Sequence, residues 1–192
     1  RFPGRRRQLV MIANNMIDGG TYGLYPYYSE NIDIFHNTVN GTYGFYDYQC
    51  TDMDLRNNIF AGDSYPVYMN NTATSGKPTY NYNLYFNTSG DSTVAYNSGT
   101  YTLSGWQAAD TVNNINSVEG DPIFINGLYV AGQLANDAGD NSVGITEDID
   151  VDIRPYTGAT TVDIGADEYE PLNDDAELSM LLSPAANGCG GD

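Results

Sequence analysis

One irregular phrase is written three times in the first half of this chain. NNMIDG (14–19), HNTVNG (36–41) and NNIFAG (57–62) recur at spacings of 22 and 21 residues. TYGLY (21–25), TYGFY (42–46) and SYPVY (64–68) recur at 21 and 22. NIDIFHN (31–37) aligns with DMDLRNN (52–58), and a weaker turn, NYNLYFNTSG (81–90), resumes the series after an insertion around NTATSGKP (71–78). A fixed period of this kind marks a unit that cannot bury its apolar face alone and must stack on its neighbours. The repeat is too short for a four-stranded propeller blade, and the leucine scaffold of leucine-rich repeats is missing. A solenoid of short strands remains.

Apolar residues within each repeat alternate with period two, the signature of a strand. Aligned columns give Leu24/Phe45/Val67, then Ile32/Met53 with Ile34/Leu55, then Ile17/Val39/Phe60, one set per strand. Three strands per turn, stacked in parallel at roughly 4.8 Å per coil, make a single-stranded parallel β-helix. The predicted fold class is all-β. An N-terminal edge is expected at 1–12, with coils (about four) at 13–96. An irregular closing segment follows at 97–170, then a linker or tail at 171–192. Asn15, Asn37 and Asn58 fall in register where the chain must turn, and stacked amides can bond one another and the turn backbone. Gly19, Gly41 and Gly62 are expected to supply the next corner.

Charge narrows the partners. The chain carries 25 acidic against 7 basic residues, a formal net charge of −18. Arg1, Arg5, Arg6 and Arg7 crowd one end, which leaves three basic against 25 acidic groups, or −22, over residues 8–192. Such a body repels phosphate backbones, so nucleic acid is excluded as a partner, while cations and neutral glycans suit it. No apolar run approaches the ~18 residues of a membrane-spanning helix. RFPGRRRQLVMIANN (1–15) has no apolar signal-peptide core, and the chain is expected to be an excised middle. Cys50 and Cys189 exclude a disulfide-rich scaffold and leave one disulfide open.

Two groups of side chains can be read for chemistry from pattern alone. Tyr25, Tyr46 and Tyr68, with Tyr27 and Tyr48 beside them, have parity opposite to Leu24, Phe45 and Val67 and are expected to face outward. Stacked outward rings would form a flat stripe on which sugar rings can lie, or simply a ladder that steadies adjacent strands. Asp148, Asp150 and Asp152 alternate with Ile149, Val151 and Ile153. On a strand these carboxylates would share one face, a hard-oxygen set suited to calcium; the plainer reading pairs one with Arg154 and leaves the others in water. The segment is not an EF-hand, since the loop glycine is missing and position 159 is Ala. Among Asp163, Asp167 and Glu168, at least one is expected to cap a turn.

The coils resemble right-handed parallel β-helix repeats of the pectin-lyase-like superfamily. Trp106, DPIF (121–124), DAG (137–139), DIDVDIRP (148–155) and VDIGADEYE (162–170) resemble the closing segment of bacterial choice-of-anchor Q β-helix proteins, with Val151 where that family usually has glycine. The resemblance implies a right-handed helix and a secreted or cell-surface bacterial protein. LSPAANGCGGD (182–192) resembles the linker between modules of Bacteroidetes surface proteins, and DST (91–93) and DTV (110–112) resemble their O-glycosylation triplet, at Ser92 and Thr111. It also implies what a lyase site would need, a base and a neutralised uronate. Asp33, Asp54 and Arg56 are the only candidates offered for that role; a solvated acidic face with one neutralising arginine is the alternative.

The expected function is a non-catalytic extracellular or cell-surface module that binds, adheres or supports. Neutral glycans are its expected ligands, and calcium is an optional ion. The alternatives are a fragment of a polysaccharide lyase or glycoside hydrolase, and a structural subunit that self-associates end to end through its open N-terminal coil.

Overall fold

The computed structural model describes residues 9–70, 76 and 78–169. The arginines of 1–7, most of the 71–78 insertion, the tail at 171–192 and Cys189 lie outside the described residues.

The first coil comprises β1 (Val10–Ala13), β2 (Met16–Asp18) and β3 (Tyr22–Leu24). β4 (Glu30–Phe35) and β5 (Thr38–Tyr48) make the second, β6 (Thr51–Arg56) and β7 (Ile59–Asn70) the third. β8 (Thr79–Asn81) and β9 (Leu84–Asn87) begin a fourth rung. One sheet runs β1-β4-β6-β8, all parallel; the other stacks β2 and β3 on β5, then β7, then β9. The result is a β-solenoid of about three turns, one fewer than the repeat count suggests. The third wall ends where β10 (Ala95–Tyr96), parallel to β7, turns back into an antiparallel pair with β11 (Thr100–Tyr101), while a short strand at Val118–Glu119 still stacks in parallel on β9.

The registers reproduce the apolar columns and extend them. Ile12, Ile34, Leu55 and Tyr80 stack on one wall. Ile17, Val39, Phe60 and Tyr85 form the second wall, and Leu24, Phe45, Val67 and Ala95 the third. From the second coil onward every member of these columns is 0–2% exposed, so alternation alone places the core.

The asparagine ladder is present and longer than the repeat alignment names, because Asn83 is its fourth member. Asn15 Nδ2 donates to Asn37 Oδ1 at 2.8 Å, Asn37 Nδ2 to Asn58 Oδ1 at 2.9 Å, and Asn58 Nδ2 to Asn83 Oδ1 at 3.0 Å. Each receiving oxygen also accepts the backbone N–H of the asparagine below it, at 2.9–3.1 Å. The residues just before the ladder, Asn14, His36, Asn57 and Tyr82, all turn through the left-handed region with φ of 50–59°.

The glycine corner differs from expectation. Gly19 is left-handed (φ 92°), but Gly41 and Gly62 lie inside β5 and β7, where the register shifts between Gly41 and Tyr43. A Cβ on Gly62 would sit 2.5 Å from the Tyr65 carbonyl oxygen, and one on Gly44 2.7 Å from that of Ala61. These glycines serve close backbone approach at a bulge, so the strand bends without breaking.

The later described residues cover two surfaces. Helix α1 (Leu103–Ala109), N-capped by Thr102, lays Trp106 across the last rung, its ring 5.2 Å from Tyr80 and 5.7 Å from Tyr85. The later segment packs sideways. Ile59 and Leu84 point away from the interior and join Val130, Ala135 and Ile164 in a second apolar cluster on the flank.

Two stability predictions follow from this core. Phe45→Ala should cost about 3–5 kcal/mol by urea unfolding, since its cavity cannot collapse between stacked rungs, and Tyr46→Ala on the outer face much less. Asn58→Ala should cost about 2–4 kcal/mol, because it orphans two buried donors of Asn37. Asn15→Ala, at the half-exposed end of the ladder, should cost less than Asn58→Ala.

Candidate functional site

Nine tyrosines converge on the outer face built by β3, β5, β7 and the turn after β3. Tyr46 and Tyr68 pair in register and stack at 4.6 Å with 4° between planes, and Tyr27 stacks on Tyr48 at 5.0 Å and 19°. Tyr25 does not continue the first stack; it meets Tyr46 edge-on at 82°. A second column, Tyr22, Tyr43 and Tyr65, lies beside the first with centroids 5.6 and 6.3 Å apart. Tyr43 stands at 82° to Tyr46 and 78° to Tyr68, so the two columns interlock edge to face. The sequence reading missed this second column because Tyr22 and Tyr43 share parity with the buried Leu24 and Phe45. The register shift beside it puts its extra residue on β7, between Gly62 and Tyr65, and Tyr43 stands half-buried on the outer face two residues before the fully buried Phe45.

The arrangement is not a flat stripe. Rings stacked at coil spacing cover one another's faces and offer solvent mainly their edges and hydroxyls. Open ring surface is concentrated on the first coil, where Tyr27 is 56% and Tyr28 64% exposed, whereas Tyr43, Tyr46, Tyr48, Tyr65 and Tyr68 are half-buried. Tyr28 meets Tyr27 at 84° and 4.7 Å, and Tyr25 meets it at 80° and 5.9 Å. These two near-perpendicular pairings make an exposed aromatic corner on the first coil.

Asp33 and Asp54 are paired across β4 and β6, as their shared column requires. Burial, then the neighbouring Asp54 carboxylate, raises the Asp33 pKa above the usual carboxylate range. Arg56 grips Asp54 through Nε and Nη2 at 3.1 and 2.7 Å, reaches Asp140 Oδ2 at 2.9 Å and Ser142 Oγ at 3.0 Å, and lies 5.1 Å over the Phe35 ring. The three residues are thus brought together, but Arg56 is held as a cation between two carboxylates. Its role is to tie the flanking segment to the coil.

Asp148, Asp150 and Asp152 do not share a strand face. Residues 149–150 form a turn, closed by an antiparallel bridge between Glu147 and Ile153. Asp148 is buried, and its oxygens accept the backbone N–H groups of Asp150, Asp152 and Glu168 at 2.8–2.9 Å. Asp150 accepts from the Tyr129 hydroxyl at 2.9 Å, and Asp152 is exposed. The carboxylate best suited to a cation is spent on backbone amides, and among the described residues no three acidic, His or Cys side chains group as a metal site. Val151 adopts φ 71°, a conformation that favours glycine.

The motif pair around this turn forms a scaffold. Arg154, fully buried at its side chain, donates to Glu168 Oε2 at 2.8 Å and to the Gly165 carbonyl at 2.9 Å. Asp163 accepts the N–H groups of Asp137 and Tyr169, meeting the expectation that one of these acids caps a turn. Burial pushes Asp163 up to about 7 and Asp167 up to about 6, the latter with help from Asp148 and Asp150. Gly165 packs where a Cβ would meet Ile59 and Thr38, its N–H bonded to the Asn57 carbonyl.

Beneath this clasp lies His36, 1% exposed. Asn57 Oδ1 accepts from the Asp140 N–H at 2.8 Å and its Nδ2 donates to the Asp140 carbonyl at 3.0 Å. That pair fixes the amide, so Nδ2 also donates to His36 Nε2 at 2.9 Å and the ring is neutral with its proton on Nδ1. Burial, and then the Arg154 charge, depress the ring to about 3.

The glycosylation-like triplets are exposed Asx turns: the Thr93 N–H donates to Asp91, and the Val112 and Asn113 N–H groups to Asp110. No family model, curated protein or solved structure matches the chain. Fold and sites together define a class, a parallel β-solenoid with a laterally clasped C-terminal segment, and no helix among the described residues is long and apolar enough to cross a membrane.

His36 carries a signed pH prediction. A ring that is neutral when folded but titrates near 6.5 when unfolded gives stability that is full above 6.5 and lost as pH falls toward 3. Asp163 and Asp167, with raised values, act oppositely: their contribution is present at low pH and lost as pH rises through 6 to 7. The comparison with His36→Gln isolates the first effect. The advantage of the parent protein over His36→Gln in urea unfolding should shrink by about 2 kcal/mol from pH 6.5 to 5.

Proposed function

We propose that this protein is a non-catalytic β-helix module of a bacterial secreted or cell-surface protein that contacts neutral glycans through its tyrosine face. The observation that carries the reading is the open ring surface of Tyr22, Tyr25, Tyr27 and Tyr28, since contiguous exposed aromatic area of this kind serves contact. Tyr27 and Tyr28, with Tyr25 at their side, offer faces for CH–π contact with a sugar ring. The rim of Tyr46 offers a hydroxyl to hydrogen-bond a neighbouring sugar. The net charge of −18 turns away polyuronates and leaves neutral chains unopposed. Resemblance to pectin-lyase-like coils and to choice-of-anchor Q closing segments supports the extracellular setting. Against lyase chemistry stands the engagement of Arg56 with Asp54 and Asp140, which leaves it no role as a base. Against head-to-tail stacking of identical chains stands α1, which occupies the far end.

On an array of neutral and acidic oligosaccharides, binding should be confined to neutral ones. Tyr27→Ala should weaken it about fivefold, in line with the loss of one aromatic contact. Absence of any neutral ligand, or full retention by Tyr27→Ala, defeats the reading. Unsaturated ultraviolet-absorbing products from a polyuronate, lost on Arg56→Ala, would replace it with a lyase.

A further inference from the structure

The chain has one histidine, His36, and it is buried where the coils meet the clasp. The amide beside it cannot serve both protonation states of the ring. Asn57 Oδ1 accepts the Asp140 N–H at 2.8 Å, while Nδ2 donates to the Asp140 carbonyl at 3.0 Å and to His36 Nε2 at 2.9 Å. Asn57 is buried as well, so a mismatched pair between the two side chains costs its full desolvation. A proton added at His36 Nε2 sets a donor against the Nδ2 donor. Turning the Asn57 amide over relieves that clash, because Oδ1 then accepts from the ring. The same turn sets Oδ1 against the Asp140 carbonyl and Nδ2 against the Asp140 N–H. One proton thus replaces three satisfied hydrogen bonds with one.

We infer that Asn57 is a proton-operated latch: protonation of His36 turns its amide and releases Asp140, with the 3₁₀ turn it caps (Asn141–Val143), while the 163–168 stretch stays on the coils. Arg56 also holds this turn, through Asp140 and Ser142, but that contact lies partly in solvent and contributes little alone. The 163–168 stretch has its own ties, from the Gly165 N–H to the Asn57 carbonyl and from the Ala166 N–H to Thr38 Oγ1.

The charges around the ring agree with a local release. Burial keeps His36 neutral, and Arg154 adds to that, whereas the Gly165 and Asp163 carbonyls and the Asp140 carboxylate favour the charged ring. Asp140 stays ionised into acid, because the Ser142 N–H and hydroxyl and Arg56 outweigh its burial and hold it below the usual carboxylate range. Asp163, Asp167 and Glu168, all raised chiefly by burial, bind protons more tightly in the closed clasp. Falling pH therefore holds their stretch closed while it loosens the Asp140 turn. A ring that titrates at about 3 when latched and near 6.5 when free takes up one proton on opening. Between those values the opening constant rises about tenfold for each unit of pH lost.

Amide hydrogen exchange on the full chain, expressed as protection factors, reads this directly. Protection of the Asp140 N–H should fall about tenfold per unit as pH drops from 6.5 toward 3, and should lie below that of Phe60 in β7 throughout. His36→Gln, which takes up no proton at that position, should lose the slope. Asn57→Asp places an opposite charge beside the ring and should raise the ring midpoint by at least about one unit, read from the one histidine signal in the NMR spectrum. The parent protein supplies a check that needs no variant, since its ring signal and its Asp140 amide signal should shift with the same midpoint. A slope retained by His36→Gln, Asp140 protection equal to that of Phe60, an unmoved midpoint in Asn57→Asp, or a parent ring that titrates without moving the Asp140 amide each overturns the inference.

Discussion

A buried amide that bonds both its neighbours and the backbone of its own turn is the constraint on which this molecule rests. A β-coil of 21 or 22 residues must reverse direction three times, and each reversal strands backbone groups inside the stack. Asn37 answers this by donating Nδ2 to the carbonyls of Ile12 and Phe35 while its Oδ1 takes two donors from Asn15. Asn58 repeats the pattern with Ile34 and Arg56. With the turn fixed, the strand on either side has no freedom of register, and the apolar columns fall into place one above another.

The same tight spacing decides what the outer face can offer. Identical side chains on successive coils are held near the distance at which aromatic rings stack, so a column of tyrosines closes on itself. Useful ring area survives where a column ends or where a second column meets it crosswise, and both occur around Tyr25, Tyr27 and Tyr28. The solenoid thus leaves its open ring surface at the margin of the repeat, where periodicity fails.

Much of the fold was legible because alternation and period are properties of the sequence itself: the columns through Ile34, Val39 and Phe45 needed no other information. Asn83 was readable from the aligned NYNLYFN segment, yet it fell in the weakest repeat. What escaped depends on backbone bending and on distant partners. Tyr43 stands on the outer face against its parity, beside the register shift between β5 and β7. The Asp148 triplet looks like a strand face, but its carboxylate folds back onto three amides, one of them twenty residues away at Glu168. Arg56 reads as a lone cation in a catalytic column until Asp140, eighty-four positions later, takes its other side.

The lateral clasp has a kinetic meaning. A bare repeat array is held by nearest-neighbour contacts and can grow or fray one coil at a time. Here Asn14 donates to the Glu147 carbonyl, Thr38 Oγ1 accepts from Ala166, and Gly165 bonds the carbonyl of Asn57, so one late segment touches all three coils at once. Those links span up to 133 residues and form only once the chain through Ala166 is available. Assembly is therefore slow to finish for a solenoid of this size. Once closed, the clasp ties the three coils into a single cooperative unit that resists peeling from either end.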